Sequence, residues 1–300
     1  MVDFAARLED IDVARLAADP THAAWGAVED AWRRHPILVF PDQAGLGPEE
    51  QAAFVAHFGP VLEERVPGQR HSFVTNADGH DIDDMGDAYR FGALTPHMDF
   101  TYTRFPADGI SLFALAIPEA GARTIFYSNV LPLERMPRTL REEIDDYHVR
   151  CVLELDAPRT DRVIYREGRA RPGPMTQSHE WPLVRSHPRR PGTRMLFCTH
   201  QQTERILELS DEATDDAASR ALLGRLFDEF LYTEENSFVH EWREADLVFW
   251  DNLAVQHERE ATPRSAGERT LRRVSFCVDG SGIEETVRFL AVSDARQTFA

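Results

Sequence analysis

The feature that most restricts how this chain can fold is a succession of short, apolar, strand-like runs beyond residue 70. They fall at 72–76, 109–117, 123–128, 194–199, 237–242, 246–250 and 269–279, with turn residues between them and few helical stretches. Strands that follow one another this closely pair with each other and bury one face. The pattern predicts a β-sandwich or jelly roll, not alternating βαβ units. Helical spacing is found mainly outside this series. Trp25, Val28 and Trp32 share one face of 23–35, and 36–40 reads as a short buried strand. A second helix starts near Pro48, carries Phe54 and Phe58, and stops at Gly59. Helical periodicity returns at 137–147 and 211–231. The expectation is a mainly β protein with flanking α-helices, one domain spanning residues 1–300. Residues 156–178 are charged, rich in proline and glycine, and aperiodic, which suits a lid loop.

Charge excludes several partners. The balance is −18, and neither nucleic acid nor an anionic membrane binds well to a surface so acidic. An anionic small molecule needs only a few arginines gathered locally. All 33 basic residues are arginine, so chemistry requiring a lysine amine is ruled out, including Schiff bases and phosphate-loop lysines. Cys151, Cys198 and Cys277 are too few and too far apart for a disulfide framework or a Cys-rich zinc site. No signal-peptide core precedes Asp19, and no apolar stretch is long enough to cross a membrane. A cytoplasmic protein is expected, with homo-oligomerisation left open.

Three short constellations carry chemistry. In His97-Met98-Asp99, residues two apart on a strand project the same way, so imidazole and carboxylate would point together with Met98 opposite. This fits two ligands on one metal, and it equally fits a surface histidine beside an aspartate. In 246–257, DLVFWDNLAVQH, a buried strand meets a turn at Asp251-Asn252 and a second apolar run returns His257 toward the interior. That histidine is either a hydrogen-bonded core residue or a third ligand. Two histidines and a carboxylate on one face of an iron leave positions open for other ligands. In 269–278, RTLRRVSFCV, alternation puts Arg269, Leu271, Arg273, Ser275 and Cys277 on one face. Two buried arginines there require anions, from protein carboxylates or from ligands.

These segments recur in a longer order: HPILVFPDQ at 35–43, FGPV at 58–61, HMDFTY at 97–102, GARTIFYSN at 121–129, WPLVRSHP at 181–188, TERILELS at 203–210, DLVFWDNLAVQH at 246–257 and ERTLRRVSF at 268–276. In order and spacing the chain resembles the taurine/2,4-dichlorophenoxyacetate dioxygenase family of Fe(II)- and 2-oxoglutarate-dependent oxygenases, from about Asp10 to Val278. The resemblance implies a double-stranded β-helix (jelly roll) flanked by helices. It implies that His97, Asp99 and His257 bind Fe(II), and that Arg269 and Thr124 hold the far carboxylate of 2-oxoglutarate. Arg273 would lie near the acidic group of the primary substrate or the reactive end of the cosubstrate. His71, Asn76 and Tyr102 are the remaining pocket candidates. The implied reaction consumes O2, releases succinate and CO2, and hydroxylates or desaturates an unactivated C–H bond, and the need of Arg273 for an anion points to a small organic acid as the substrate.

The chain departs from its relatives at Pro96 before His97, at Met98 within the HxD, and at His200, where relatives carry asparagine. Residues 62–95 match only loosely. Competing classes are a non-catalytic jelly-roll binding protein that keeps the scaffold, a zinc hydrolase, and a structural or interaction protein. Neither HExxH nor CxxC is present to support the hydrolase, and only the acidic surface argues for the last.

Overall fold

The computed structural model describes residues 4–63, 68–80, 90–154, 176–210 and 216–278. In chain order its strands are β1 (Ala5–Arg7), β2 (Ile37–Phe40), β3 (Ser72–Thr75), β4 (Leu94–His97), β5 (Gly109–Ala116), β6 (Arg123–Ser128), β7 (His148–Glu154), β8 (Thr176–Pro182), β9 (Val184–Ser186), β10 (Arg194–Leu196), β11 (Thr203–Ile206), β12 (Ser237–Glu241), β13 (Leu247–Asp251), β14 (Val255–Arg259) and β15 (Thr270–Phe276). Three N-terminal helices, α1 (Val13–Ala18), α2 (Trp25–Arg34) and α3 (Pro48–Ala56), are joined later by shorter ones and by Ala217–Leu226.

The strands form a six-stranded sheet, β1-β2-β13-β5-β15-β3, and a four-stranded sheet, β12-β6-β14-β4. Alternation divides the large sheet cleanly. Ile37, Val39, Ile110, Leu112, Val248, Trp250 and Leu271 face a core that also receives Phe126 and Val255 from the four-stranded sheet. Leu38, Phe40, Phe113, Phe249, Val274 and Phe276 face outward under the helices. Trp25 and Val28 are buried in that outer layer, and Trp32 stacks on Phe249 at 4.4 Å. A smaller sheet, β11-β7-β8, and the β9–β10 pair enclose a third core with Ala217–Leu226. This part supports the loop after β4: Trp181 Nε1 donates to the Thr101 carbonyl at 2.7 Å, and Thr101 Oγ1 donates to Gln202 Oε1 at 2.6 Å.

The expected strands inside 72–76, 109–117, 123–128, 237–242, 246–250 and 269–279 are all present. The run at 194–199 is a strand only to Leu196, because the Asn129 carbonyl takes the Leu196 amide and a turn follows. β1, β4, β7, β8, β9 and β11 carry no clear apolar alternation, since they are short, edge-placed or mixed in polarity. The expected lid at 156–178 lies outside the described residues, except that 176–178 begin β8.

α3 is fastened to the sheet by a buried polar clamp. Arg272 projects to the outer face, opposite to Arg273. Its Nε donates to Gln51 Oε1 at 2.7 Å, its Nη2 donates to the Leu46 carbonyl at 2.6 Å, and the guanidinium lies 4.8 Å from the Phe113 ring centre. Burial lowers its pKa to about 10, against the pull of Glu50. Gln51 completes the clamp by donating to Ser111 Oγ and the Arg272 carbonyl. Gln51→Leu removes one of the two hydrogen-bond acceptors of a buried cation, so it should cost about 2 kcal/mol in chemical denaturation. The double change Gln51→Leu with Arg272→Met should recover much of that loss.

Candidate active site

The turn between β13 and β14 is built on Asp251. This carboxylate is 1% exposed and accepts the amides of Leu253 and Ala254, His187 Nε2 at 3.1 Å and Arg190 Nε at 3.0 Å. Burial would raise its pKa, but the His187 hydrogen bond and the charges of His187, Arg189 and Arg190 prevail and keep it ionised. The turn fixes the register of β14, which puts His257 directly across from His97 on β4 and from Phe126 on β6. Both imidazoles therefore leave the same face of the four-stranded sheet, with ring centres 4.1 Å apart.

Strand β4 ends at His97, so Asp99 reaches the histidines through a turn and not through strand alternation as expected. Phe100, next in the chain, has φ +65°, a left-handed conformation that a bulky side chain rarely takes. Met98 does point away, into a cluster with Met195, Phe197 and Leu253. His97 Nε2 lies 3.6 Å from Asp99 Oδ1, and His257 Nε2 lies 3.7 Å from Asp99 Oδ2. One ligand atom from each of the three residues fits within a 4.8 Å spread.

The protonation states suit a cation. Burial, above all, lowers the pKa of His97 and takes that of His257 well below the ordinary value, so both rings are neutral. Burial would raise Asp99, yet Arg273, His257 and His97 outweigh it and bring it down to about 2. His97 Nδ1 is 2.8 Å from the Thr95 carbonyl, an arrangement that makes Nδ1 the donor and leaves Nε2 as the lone-pair atom. Two neutral imidazoles and one ionised carboxylate fit Fe(II) as a donor set.

Asn252 holds the carboxylate's backbone. Its Oδ1 accepts the Asp99 amide at 3.0 Å, and its Nδ2 donates to the carbonyls of Asp99 at 3.1 Å and Ala107 at 2.8 Å. Asn129 ties the same turn down, donating to the Leu253 carbonyl and accepting from Gln256 Nε2. Asn252, Asn129 and Gln256 were not among the expected site residues. The Asp-Asn pair at a turn between two buried runs was the available sequence signal for Asn252.

The other expected residues divide. Arg273 and Leu271 do lie on the inner face, but Arg273 has an acidic partner after all. Its Nη1 donates to Asp99 Oδ2 at 2.9 Å, and Nε and Nη2 donate to Ser275 Oγ. Of the two sources of anion left open for the arginine pair, a protein carboxylate is present at Arg273, because the turn after β4 carries Asp99 across to β15. Asn76 is engaged with the backbone. Its Oδ1 accepts the Arg269 amide at 2.8 Å and its Nδ2 donates to the Gly267 carbonyl, extending the β3–β15 ladder past its last pair, Thr75 and Thr270. It therefore fixes the backbone of Arg269 and does not line the pocket with a free amide. His71 lies just before β3; the register sets Ser72 against Arg273, and the His71 ring meets Phe73, which pairs with Arg272. Tyr102 is buried in the inner core beside Phe100, as wall. Thr124, at the start of β6, and Arg269, before β15, are both buried.

A profile described as "Taurine catabolism dioxygenase TauD, TfdA family" matches residues 2–275. The chain belongs to this family. It is 28% identical over 254 residues to the (S)-phenoxypropionate/alpha-ketoglutarate-dioxygenase of Sphingobium herbicidovorans, covering 82% of this chain and 83% of that one. It is also 28% identical over 291 residues to the alpha-ketoglutarate-dependent 2,4-dichlorophenoxyacetate dioxygenase of Cupriavidus pinatubonensis, covering 92% and 95%. Among solved structures, AAD-2 in complex with Mn(II) and N-oxalylglycine superposes with a TM-score of 0.71 at 22% identity, over 93% of this chain and 96% of that chain. The TauD/TfdA member described here is an Fe(II)- and 2-oxoglutarate-dependent dioxygenase with O2 as its other cosubstrate, and this sets aside the non-catalytic and zinc-hydrolase alternatives. No helix among the described residues is long and apolar enough to cross a membrane.

Two outcomes follow from this geometry. Asn252→Ala leaves all three ligands in place but frees the Asp99 backbone, and should weaken Fe(II) binding about 10- to 100-fold in a competitive chelator titration. Metal-free protein should lose stability as pH falls below about 6.5, because the unfolded chain takes up protons at His97 and His257 that the folded state refuses. The loss should be carried chiefly by His257, whose pKa is lowered further, at no more than about 1.4 kcal/mol per pH unit for each histidine, and His257→Gln should reduce the slope. Denaturation between pH 7.5 and 5 measures both slopes.

Proposed function

We propose that this dioxygenase oxidises an unactivated C–H bond of a small organic acid, by hydroxylation or desaturation, while 2-oxoglutarate is converted to succinate and CO2. The observation that carries this reading is the convergence of His97, Asp99 and His257 with the guanidinium of Arg273 on one buried face. In the proposed assignment the two histidines and Asp99 hold the iron. The redox chemistry that couples O2 to decarboxylation of the oxo acid and to substrate oxidation comes from the metal. The chain's own share is positioning and exclusion of water. Phe100, Tyr102, Phe126 and Trp250 surround the ligands with apolar surface, and the Trp250 ring lies 5.0 Å from that of His257.

Arg269 and Thr124 are assigned to the far carboxylate of 2-oxoglutarate. Both are buried on elements that begin at the same end of the two sheets, where Thr124 faces Arg259 across β6 and β14. The two sheets are read as the halves of a double-stranded β-helix within one catalytic domain. All three cysteines are free and buried, which is consistent with a cytoplasmic setting.

The acid preference rests on charge. Asp99 is an anionic partner of Arg273 within the protein. A divalent ion on Asp99 would draw on the same carboxylate, so the Arg273 guanidinium beside it favours a further anion at the site. A carboxylate, sulfonate or similar group on the substrate would answer it, and the names of the phenoxy-acid relatives agree. Acids should therefore stimulate succinate release more than their neutral esters or amides. Arg273→Gln should erase the difference by raising KM for the best acid about 10-fold or more. Preference for neutral forms would reject the acid assignment.

A further inference from the structure

Trp242 lies just beyond β12, 5% exposed, with its ring packed in the core between the two sheets. Its Nε1 lies 2.9 Å from Thr124 Oγ1. An indole N–H can only donate, so the direction of this bond is fixed: the threonine oxygen accepts. The hydroxyl hydrogen of Thr124 is then left to donate elsewhere. Thr124 is 2% exposed, and no acceptor among the described residues takes that hydrogen. A buried donor in this state is costly unless a ligand supplies the acceptor. A carboxylate is acceptor-only and matches it.

The indole is itself held in place. The His240 ring meets it edge to face, with centres 4.6 Å apart and planes at 90°. His240 Nε2 lies 3.3 Å from Asp246 Oδ2, which also accepts the Arg243 amide at 3.1 Å. His240 on β12 thus packs against the indole, and Trp242 fixes the polarity of a hydroxyl on β6. A donor bond into the threonine oxygen also polarises its O–H, strengthening the bond that this hydroxyl makes in turn.

We propose that Trp242 is a positioning residue for cosubstrate binding, locking Thr124 as a hydrogen-bond donor to the far carboxylate of 2-oxoglutarate. This rests on the assignment of Thr124 to the cosubstrate, and the two can fail separately. The test is a mutant cycle in the anaerobic Fe(II)-loaded enzyme, titrated with 2-oxoglutarate and followed by its visible charge-transfer band. Trp242→Phe keeps the ring and removes the donor. It should raise the 2-oxoglutarate Kd about 3- to 10-fold, the loss expected for one hydrogen bond. Thr124→Val should do the same or more, and the double variant should be no weaker than Thr124→Val alone. Thr124→Ser, which keeps the hydroxyl, should restore sensitivity to Trp242→Phe. Multiplying effects in the double variant, or an unchanged Kd in Trp242→Phe beside a raised one in Thr124→Val, would overturn the role of Trp242. An unchanged Kd in Thr124→Val beside a raised one in Arg269→Ala would overturn the Thr124 assignment, and with it this role. Should Trp242→Phe fail to fold, the cycle is replaced by indole 15N–1H signals, of which the five tryptophans give five. One of them should lose exchange protection in Thr124→Val. If none responds, the proposal is overturned.

Discussion

The interior of this protein is arranged around one negative charge. Asp99 sits among apolar side chains, where burial alone would favour its protonated form. Arg273 crosses from β15 to meet it at 2.9 Å, His97 and His257 lie on its two oxygens, and Asn252 grips its backbone amide and carbonyl. Each partner comes from a different segment, and the sum holds the carboxyl near a pKa of about 2. Such a site needs every partner in place, because a buried charge that loses one is penalised steeply.

A second carboxylate makes the first reachable. Asp251 caps the turn from which Asn252 projects and anchors it to His187 and Arg190. Arg190 in turn donates to the carbonyls of Trp32 and Arg33 at the end of α2. The N-terminal helical layer is thereby coupled to the turn that sets the register of β14, and so to the pairing of His257 with His97. Helices far from the ligands thus contribute to metal geometry by fixing one hairpin.

Much of this was legible in the sequence. Most of the β-sheet core was foreseeable because its strands are apolar on alternate or on both faces, and burial enforces that pattern locally. The opposite facing of Arg273 and Arg272 followed from the same period of two, and the structure keeps it. His97, Asp99 and His257 were nominated by spacing and by resemblance to relatives. Strands such as β4 and β8 were not foreseeable, because a short edge strand containing proline or several polar residues leaves no periodic signal.

What the sequence by itself determined were the quantities that depend on near neighbours: which segments are strands, which face each residue takes, and which residue types are available for a metal. What only the tertiary structure decided were the partnerships between distant segments. Arg273 finds Asp99 across 174 positions. Asn76 serves the Arg269 backbone because the β3–β15 ladder ends one residue short of it. His71 falls just before β3 because Ser72 takes the place across from Arg273. Trp242 reaches Thr124 only because β12 pairs with β6. The physical reason is register: shifting a strand by one residue exchanges its faces, and register is set by turns and packing that involve the whole chain.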